Sequence, residues 1–182
     1  MVEAGCQGAI GSRTSFQASV FYSRIDDLIQ RQYLSANLYQ LRNIGRARHA
    51  GFELDARTRV DSRLEIGANY TYLDRENLSD PSVPLVDTPR HKGRVSAVGT
   101  VVPSLRVIAN VEFEADRRTL NEGGAYLDAP SFATLSVKGV WTIRGHLDAE
   151  LGVLNAFDRS YWYGDGYPEP GRTVLANFRW RF

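Results

Sequence analysis

Two groups of side chains have the residue types and spacing for ligand recognition. Tyr161, Trp162 and Tyr163 are consecutive. Three adjacent rings could stack on an aromatic or chelated ligand, or pack against the rim of a sheet. Arg117 and Arg118 are adjacent, with Tyr126 a short way on. That pair could attract an anionic ligand, or stand as a solvated charge pair. Catalysis has no comparable support. His49, His91 and His146 lie far apart, and none has a Cys, His or carboxylate partner at a metal-ligand spacing on a shared face. Asp26 and Asp27 read as a solvated pair, and no phosphate-binding loop, dinucleotide fingerprint or nucleophile elbow occurs. Cys6 is the single cysteine, so neither an internal disulfide nor a thiolate metal site is available. The expectation is no catalytic residue, no metal site and no cofactor.

The elements that must position these residues are hidden by the averages. The 182 residues are 43% hydrophobic and 24% charged with net charge +1, the profile of an ordinary soluble domain. That balance leaves no electrostatic footprint for nucleic acid. No apolar run approaches the length of a transmembrane helix, and the N-terminal stretch has no signal-peptide pattern.

Periodicity is more telling. In the last strand-like segment Val174, Ala176, Phe178, Trp180 and Phe182 share one parity, while Thr173, Leu175, Asn177, Arg179 and Arg181 share the other. A period of two places those sets on opposite faces of a β-strand. The same alternation occurs over residues 2–10, 14–22, 50–60, 64–72, 93–101, 105–115, 133–143 and 147–153, which makes nine segments with the last. One parity carries no charged residue in any of them. The other carries Glu53, Asp55, Arg57, Arg59, Arg106, Glu112, Glu114, Asp148 and Glu150. No stretch shows a helical period, so helices should be scarce.

Such a pattern suits a soluble antiparallel sandwich or barrel as well as a membrane barrel. Three features select the membrane. Short turns at Ser12-Arg13, Asp61-Ser62, Pro103-Ser104 and Arg144-Gly145 alternate with longer connections near residues 33–38, 74–90, 116–130 and 155–171. On the apolar parity Tyr22, Tyr70, Tyr72 and Phe113 fall at the long-loop ends, and Trp141, Trp180 and Phe182 at the other, as two lipid–water interfaces require. Bulky residues from nine strands would also crowd the interior of a soluble barrel. The fold class expected is all-β, a transmembrane antiparallel up-and-down barrel. Closure of such a barrel needs an even strand count, so nine strands imply the C-terminal part of a longer protein whose export signal lies upstream.

Residues 151–182 resemble the C-terminus of TonB-dependent outer-membrane receptors. The resemblance rests on Asn155-Ala156-Phe157-Asp158, then Tyr161, then the loop carrying Gly166, Tyr167, Pro168, Gly171 and Arg172, and a strand ending in Phe182. Ala156 departs from the usual Leu. Residues 18–29, 43–60, 68–74 and 88–92 resemble barrel strands of the same family. The resemblance implies that residues 1–182 are about nine C-terminal strands of a barrel of about 22, without the family's plug domain and signal peptide. It implies a parent in the outer membrane of a Gram-negative bacterium that takes up a scarce ligand by TonB-coupled transport. A ferric siderophore is the preferred ligand, with cobalamin, haem or oligosaccharide as others. Arg117, Arg118, Tyr126, Tyr161, Trp162 and Tyr163 are the expected ligand-binding residues. Phe178, Trp180 and Phe182 are the expected signal for the barrel-assembly machinery, and outer-membrane lipid and TonB are further expected partners. A passive channel and a soluble β-barrel binding domain are the alternative functions.

Overall fold

The computed structural model describes residues 1–35, 38–43, 45–143 and 146–181. In chain order the strands are β1 (Val2–Ile10), β2 (Thr14–Ile25), β3 (Ile29–Ser35), β4 (Leu38–Asn43), β5 (Ala47–Arg59), β6 (Leu64–Asn77), β7 (His91–Val102) and β8 (Leu105–Ala115). There follow β9 (Arg117–Leu120), β10 (Tyr126–Ala129), β11 (Phe132–Ile143), β12 (Leu147–Leu154), β13 (Trp162–Gly164), β14 (Tyr167–Pro168) and β15 (Thr173–Trp180). Nine of them form one sheet in the order β1-β2-β5-β6-β7-β8-β11-β12-β15, with antiparallel neighbours throughout. They are the nine segments that alternation picks out. The other six strands pair as three small hairpins, β3–β4, β9–β10 and β13–β14, all on the rim where the long connections lie.

Register carries the parity across the sheet. Val20 pairs with Phe52, Phe52 with Tyr72, and Tyr72 with His91. Farther along, Val95 pairs with Val111, Val111 with Leu135, and Val137 with Val153. A slip of one residue in β5, β8 or β12 would put charge onto the apolar face, so the pattern and the pairing specify each other. One irregularity interrupts the match. The register shifts between Thr100 and Val102, so Val102 stands opposite Leu105 where strict alternation would place Val101.

Rings border the apolar face at both ends. Phe52 lies 5.7 Å from Tyr70 and 5.6 Å from Tyr72 between centroids. Tyr70 is 6.2 Å from Phe113 and shares a 2.7 Å hydrogen bond with His91 Nδ1. A Cβ on Gly93 would fall 2.5 Å from the Phe113 ring, so the bare backbone lets that ring lie across β7. At the short-turn end Trp141, Phe178 and Trp180 are exposed. Phe182 and the Arg144-Gly145 turn lie outside the described residues, as does part of the connection near residues 33–38.

The sheet has almost no core. Ala47, Leu85, Ala129 and Phe132 are the buried hydrophobic residues among those described. The chain exposes 12218 Å², where a compact chain of its mass exposes about 8,800 Å². Both faces of the sheet are therefore surfaces that await other contacts.

The connection expected near residues 33–38 is wider than the sequence implies. β2 stops at Ile25 and β5 starts at Ala47, with the hairpin β3–β4 between them. Asp27, in the left-handed region at φ 59°, accepts a 2.7 Å hydrogen bond from Asn43 Nδ2 and closes the hairpin base. The hairpin β3–β4 thus pairs with itself, outside the main sheet.

Candidate functional site

Three loops of the long-loop rim are bound into one body. The first, residues 78–90, starts at Asn77, whose Oδ1 accepts from the backbone N–H of Ser79 and of Asp80, each at 3.0 Å. Two arginines then fasten its far end. Arg75 Nη1 donates to the Val86 carbonyl at 3.0 Å, and Nη2 to the Thr88 carbonyl. Arg117 Nη1 donates to the Asp87 carbonyl at 2.7 Å. Asp87 lies in the left-handed region at φ 68°. Its N–H donates to the Arg118 carbonyl at 2.8 Å, and its Oδ1 accepts from Thr119 Oγ1 at 2.8 Å.

The second loop holds the hairpin β9–β10. Arg117, at its root, donates through Nη2 to Glu114 Oε2 at 2.6 Å, and the two side chains are 15% and 7% exposed. Lys92 Nζ approaches the other oxygen of Glu114 at 3.0 Å. The third loop, residues 155–172, reaches the same place. The Tyr163 ring lies 4.7 Å beneath the Arg117 guanidinium. Tyr161 stacks on Phe132 at 3.9 Å, and Tyr163 meets both rings edge-on at 5.7 Å. Burial first, then the Glu114 carboxylate, push the Tyr163 phenol up to about 12. Burial and Glu169 raise Tyr161, and burial and Asp80 raise Tyr126.

Asn155 and Asp158 shape the third loop. Both are in the left-handed region, at φ 47° and 54°. Asn155 Nδ2 donates to the carbonyls of Arg159 at 2.8 Å and Pro170 at 3.3 Å, and its Oδ1 accepts from the Arg159 N–H at 2.9 Å. Asp158 Oδ1 accepts from the Arg172 N–H at 2.7 Å. A Cβ at Gly171 would sit 2.5 Å from that oxygen, so a side chain there would displace the Asp158 carboxylate. Gly166 takes φ 80° at the tip, and Tyr167 and Pro168 form β14. The motif residues thus build a loop.

Between these loops and the polar face of the sheet lies a cavity of about 600 Å³. Its floor includes His49 and Arg75, which face each other across β5 and β6. Asp87, Thr119, Asp165 and Tyr167 contribute to its walls, and Leu28, Ile29 and Leu41 reach it from the β3–β4 side. No grouping of three or more His, Cys, Asp or Glu able to hold a metal ion occurs among the described residues.

The residues singled out by sequence divide around this cavity. Arg117, Tyr161 and Tyr163 come together, yet as struts between loops. Arg118 pairs with Asp128 at 3.1 Å on the exposed surface. Tyr126 stands opposite Leu120 and is 43% exposed. Trp162 pairs with Pro168 and is half-buried. None of these six lines the cavity, whereas Tyr167 does. His49, Arg75, Asp87 and Thr119 were missed, because no local motif marks residues that the fold gathers from separate connections. Phe157 is exposed, as are Phe178 and Trp180 on the apolar face.

Comparison with known proteins agrees with this architecture. Residues 3–156 match the family model described as TonB dependent receptor-like, beta-barrel. A curated protein of Bordetella pertussis, described as the probable TonB-dependent receptor BfrD, is 23% identical over 153 residues. That stretch is 74% of this chain and 21% of the relative. Among solved structures, the copper transporter OprC superposes with a TM-score of 0.83 at 22% identity, over 99% of this chain and 30% of its own. The ferric yersiniabactin uptake receptor FyuA from Yersinia pestis superposes with a TM-score of 0.77 at 23% identity, over 99% and 29%. The chain therefore spans under a third of the length of these relatives. Members of the matched family are receptors and transporters of the Gram-negative outer membrane. The chain belongs to the TonB-dependent receptor family, within its β-barrel.

Proposed function

We propose that residues 1–182 are the C-terminal barrel segment of an outer-membrane receptor that takes up a ferric siderophore by TonB-coupled transport. The observation that carries this reading is the cavity of about 600 Å³ at the long-loop rim. Its size falls in the range of about 300–1,000 Å³ that small-molecule sites occupy, and three mutually bound loops hold its walls. FyuA supports the ligand class, since that receptor takes up ferric yersiniabactin.

Physical argument supports the remaining parts. The sheet is open at β1 and β15, and unpaired strand edges in hydrocarbon cost several kcal/mol for each unmet backbone group. Further strands of the parent barrel would cover them. The apolar face with its two aromatic borders suits lipid. Phe178, Trp180 and Phe182 at alternate positions would be presented to the barrel-assembly machinery.

The test is uptake of radiolabelled ferric siderophores by cells carrying the intact receptor, with and without TonB. Accumulation that needs both the receptor and TonB is expected. Accumulation that is independent of TonB would replace this reading with a passive channel. Recovery of the protein in the soluble fraction would replace it with a soluble binding domain.

A further inference from the structure

Glu114 is the polar-face residue at the end of β8, and its side chain is 7% exposed. Its two oxygens hold two cations of different kinds. Lys92, opposite on β7, remains 66% exposed. Arg117 is 15% exposed and has other tasks for its guanidinium. One terminal nitrogen holds Glu114, the other holds the Asp87 carbonyl, and the planar face covers Tyr163. A single side chain thus joins the sheet, the loop at residues 78–90 and the loop at residues 155–172.

The cavity adjoins this junction. Asp87, Gly164 and Asp165 all line it, and each is the Arg117 contact itself or a close chain neighbour of one. Arg117 does not line the cavity, so its influence must pass through the walls. We propose that Arg117 is a positioning residue for the rim cavity: anchored on Glu114, it locks the loops at residues 78–90 and 155–172 to the sheet and thereby forms two cavity walls. Only arginine supplies this combination. Two terminal nitrogens diverge in a fixed plane whose face can also lie on a ring. Lysine would keep the charge pair with Glu114 and lose the fork. Removal of Arg117 would leave a buried carboxylate with one exposed cation, which destabilises the docked arrangement more than the undocked one.

The lock stands whether or not the cavity binds a ligand; its consequence for uptake rests on the proposed function. The test uses the intact receptor in outer membranes with Cys6 replaced by Ala. A reporter cysteine replaces Leu85, which is buried in the first loop and lines the cavity. A second, separate reporter replaces Leu38 in β4, which is exposed. Labelling by a membrane-impermeant maleimide reads the opening of each segment, and heat-modifiable gel migration shows that the barrel is folded. In Arg117→Ala the Leu85 reporter should label about tenfold faster, as expected for a local opening, with Leu38 unchanged. Glu114→Gln should produce the same pattern, and Arg117→Lys an intermediate rate. Leu85 labelling within about twofold of the parent in a folded Arg117→Ala barrel overturns the lock. So does a parallel rise at both reporters, which marks general loosening. If Arg117→Ala does not fold, Arg117→Lys and Tyr163→Leu carry the same comparison. A faster Leu85 rate with unchanged ferric-siderophore uptake keeps the lock and overturns the ligand-binding role of the cavity.

Discussion

The three joined loops and the hairpin β3–β4 stand on the same rim and border the same cavity, yet they are held in different ways. The joined loops are fixed by side chains that reach across the chain: Arg75 to Val86 and Thr88, Arg117 to Glu114 and Asp87, Asn155 to Pro170. Hairpin β3–β4 is held by its own ladder and by Asn43 on Asp27, and it presents Ile29, Leu38 and Leu41 more than half exposed. The first arrangement keeps a cavity wall in place before any ligand arrives. The second leaves apolar surface available at the cavity mouth. A rim that must both define a site and admit a ligand needs both arrangements.

The largest effect that would test this contrast is expected at Asn155. The residue is 5% exposed and satisfies two carbonyls and one N–H within the third loop. Asn155→Ala leaves those groups without their partner and places a Cβ residue with no polar atom at φ 47°. A loss of about 2–4 kcal/mol is expected, visible as a lower temperature for loss of the folded gel mobility. An unchanged temperature would mean that Asp158 and the ring contacts hold the third loop without Asn155.

The next effect is smaller and more local. Arg75→Met keeps much of the side-chain volume and frees the Val86 and Thr88 carbonyls. The expected cost is about 1–2 kcal/mol, confined to residues 78–90. Proteolysis of that loop on intact cells should quicken about tenfold, while cleavage within β3–β4 stays at its parent rate. Equal acceleration in both would erase the distinction between the two parts of the rim.

How much of this contrast was legible in sequence follows from the range of the forces. Parity is a local property, so the nine main strands, their polar and apolar faces and both aromatic borders could be read directly. It failed at Val101 and Val102, because a bulge is set by the twist of the pair and leaves no mark on hydropathy. It is silent on the connection near residues 33–38, whose hairpin β3–β4 stands outside the main sheet and shows no strict alternation. The candidate site was less legible. Tyr161, Tyr163 and Arg117 were singled out for chemistry they share with ligand-binding residues, and the fold turns the same chemistry inward on Glu114 and Phe132. Nothing near Arg117 or Thr119 in sequence announces Asp87, which each contacts from another segment. Asp87 itself becomes distinctive only through its left-handed backbone.

Replacing residues 29–43 by a short Gly-Ser linker tests the other half of the comparison. Barrel stability should stay within about 0.5 kcal/mol, the range for surface changes away from buried networks. Ferric-siderophore accumulation should fall, because Ile29 and Leu41 leave the cavity. A fall in stability with no fall in uptake would reverse the roles assigned to the two parts.

The smallest effect at neutral pH, and the most specific, is at Tyr163. Its phenol titrates at about 12, chiefly because burial disfavours the phenolate and then because Glu114 lies close. The folded value is above the ordinary one of about 10, so the folded rim favours the protonated ring. That contribution is complete below about pH 10 and is lost as pH rises towards 12. Protection of the Leu85 reporter should accordingly decline over that interval in the parent. Tyr163→Phe keeps a ring beneath Arg117 and cannot ionise, so its protection should persist further into alkali while matching the parent at neutral pH. Identical alkaline profiles would mean that the loops come apart for another reason. The contacts of the third loop with β11, Tyr161 on Phe132 and the Ala156 N–H on the Leu135 carbonyl, would then hold it whatever the state of the phenol.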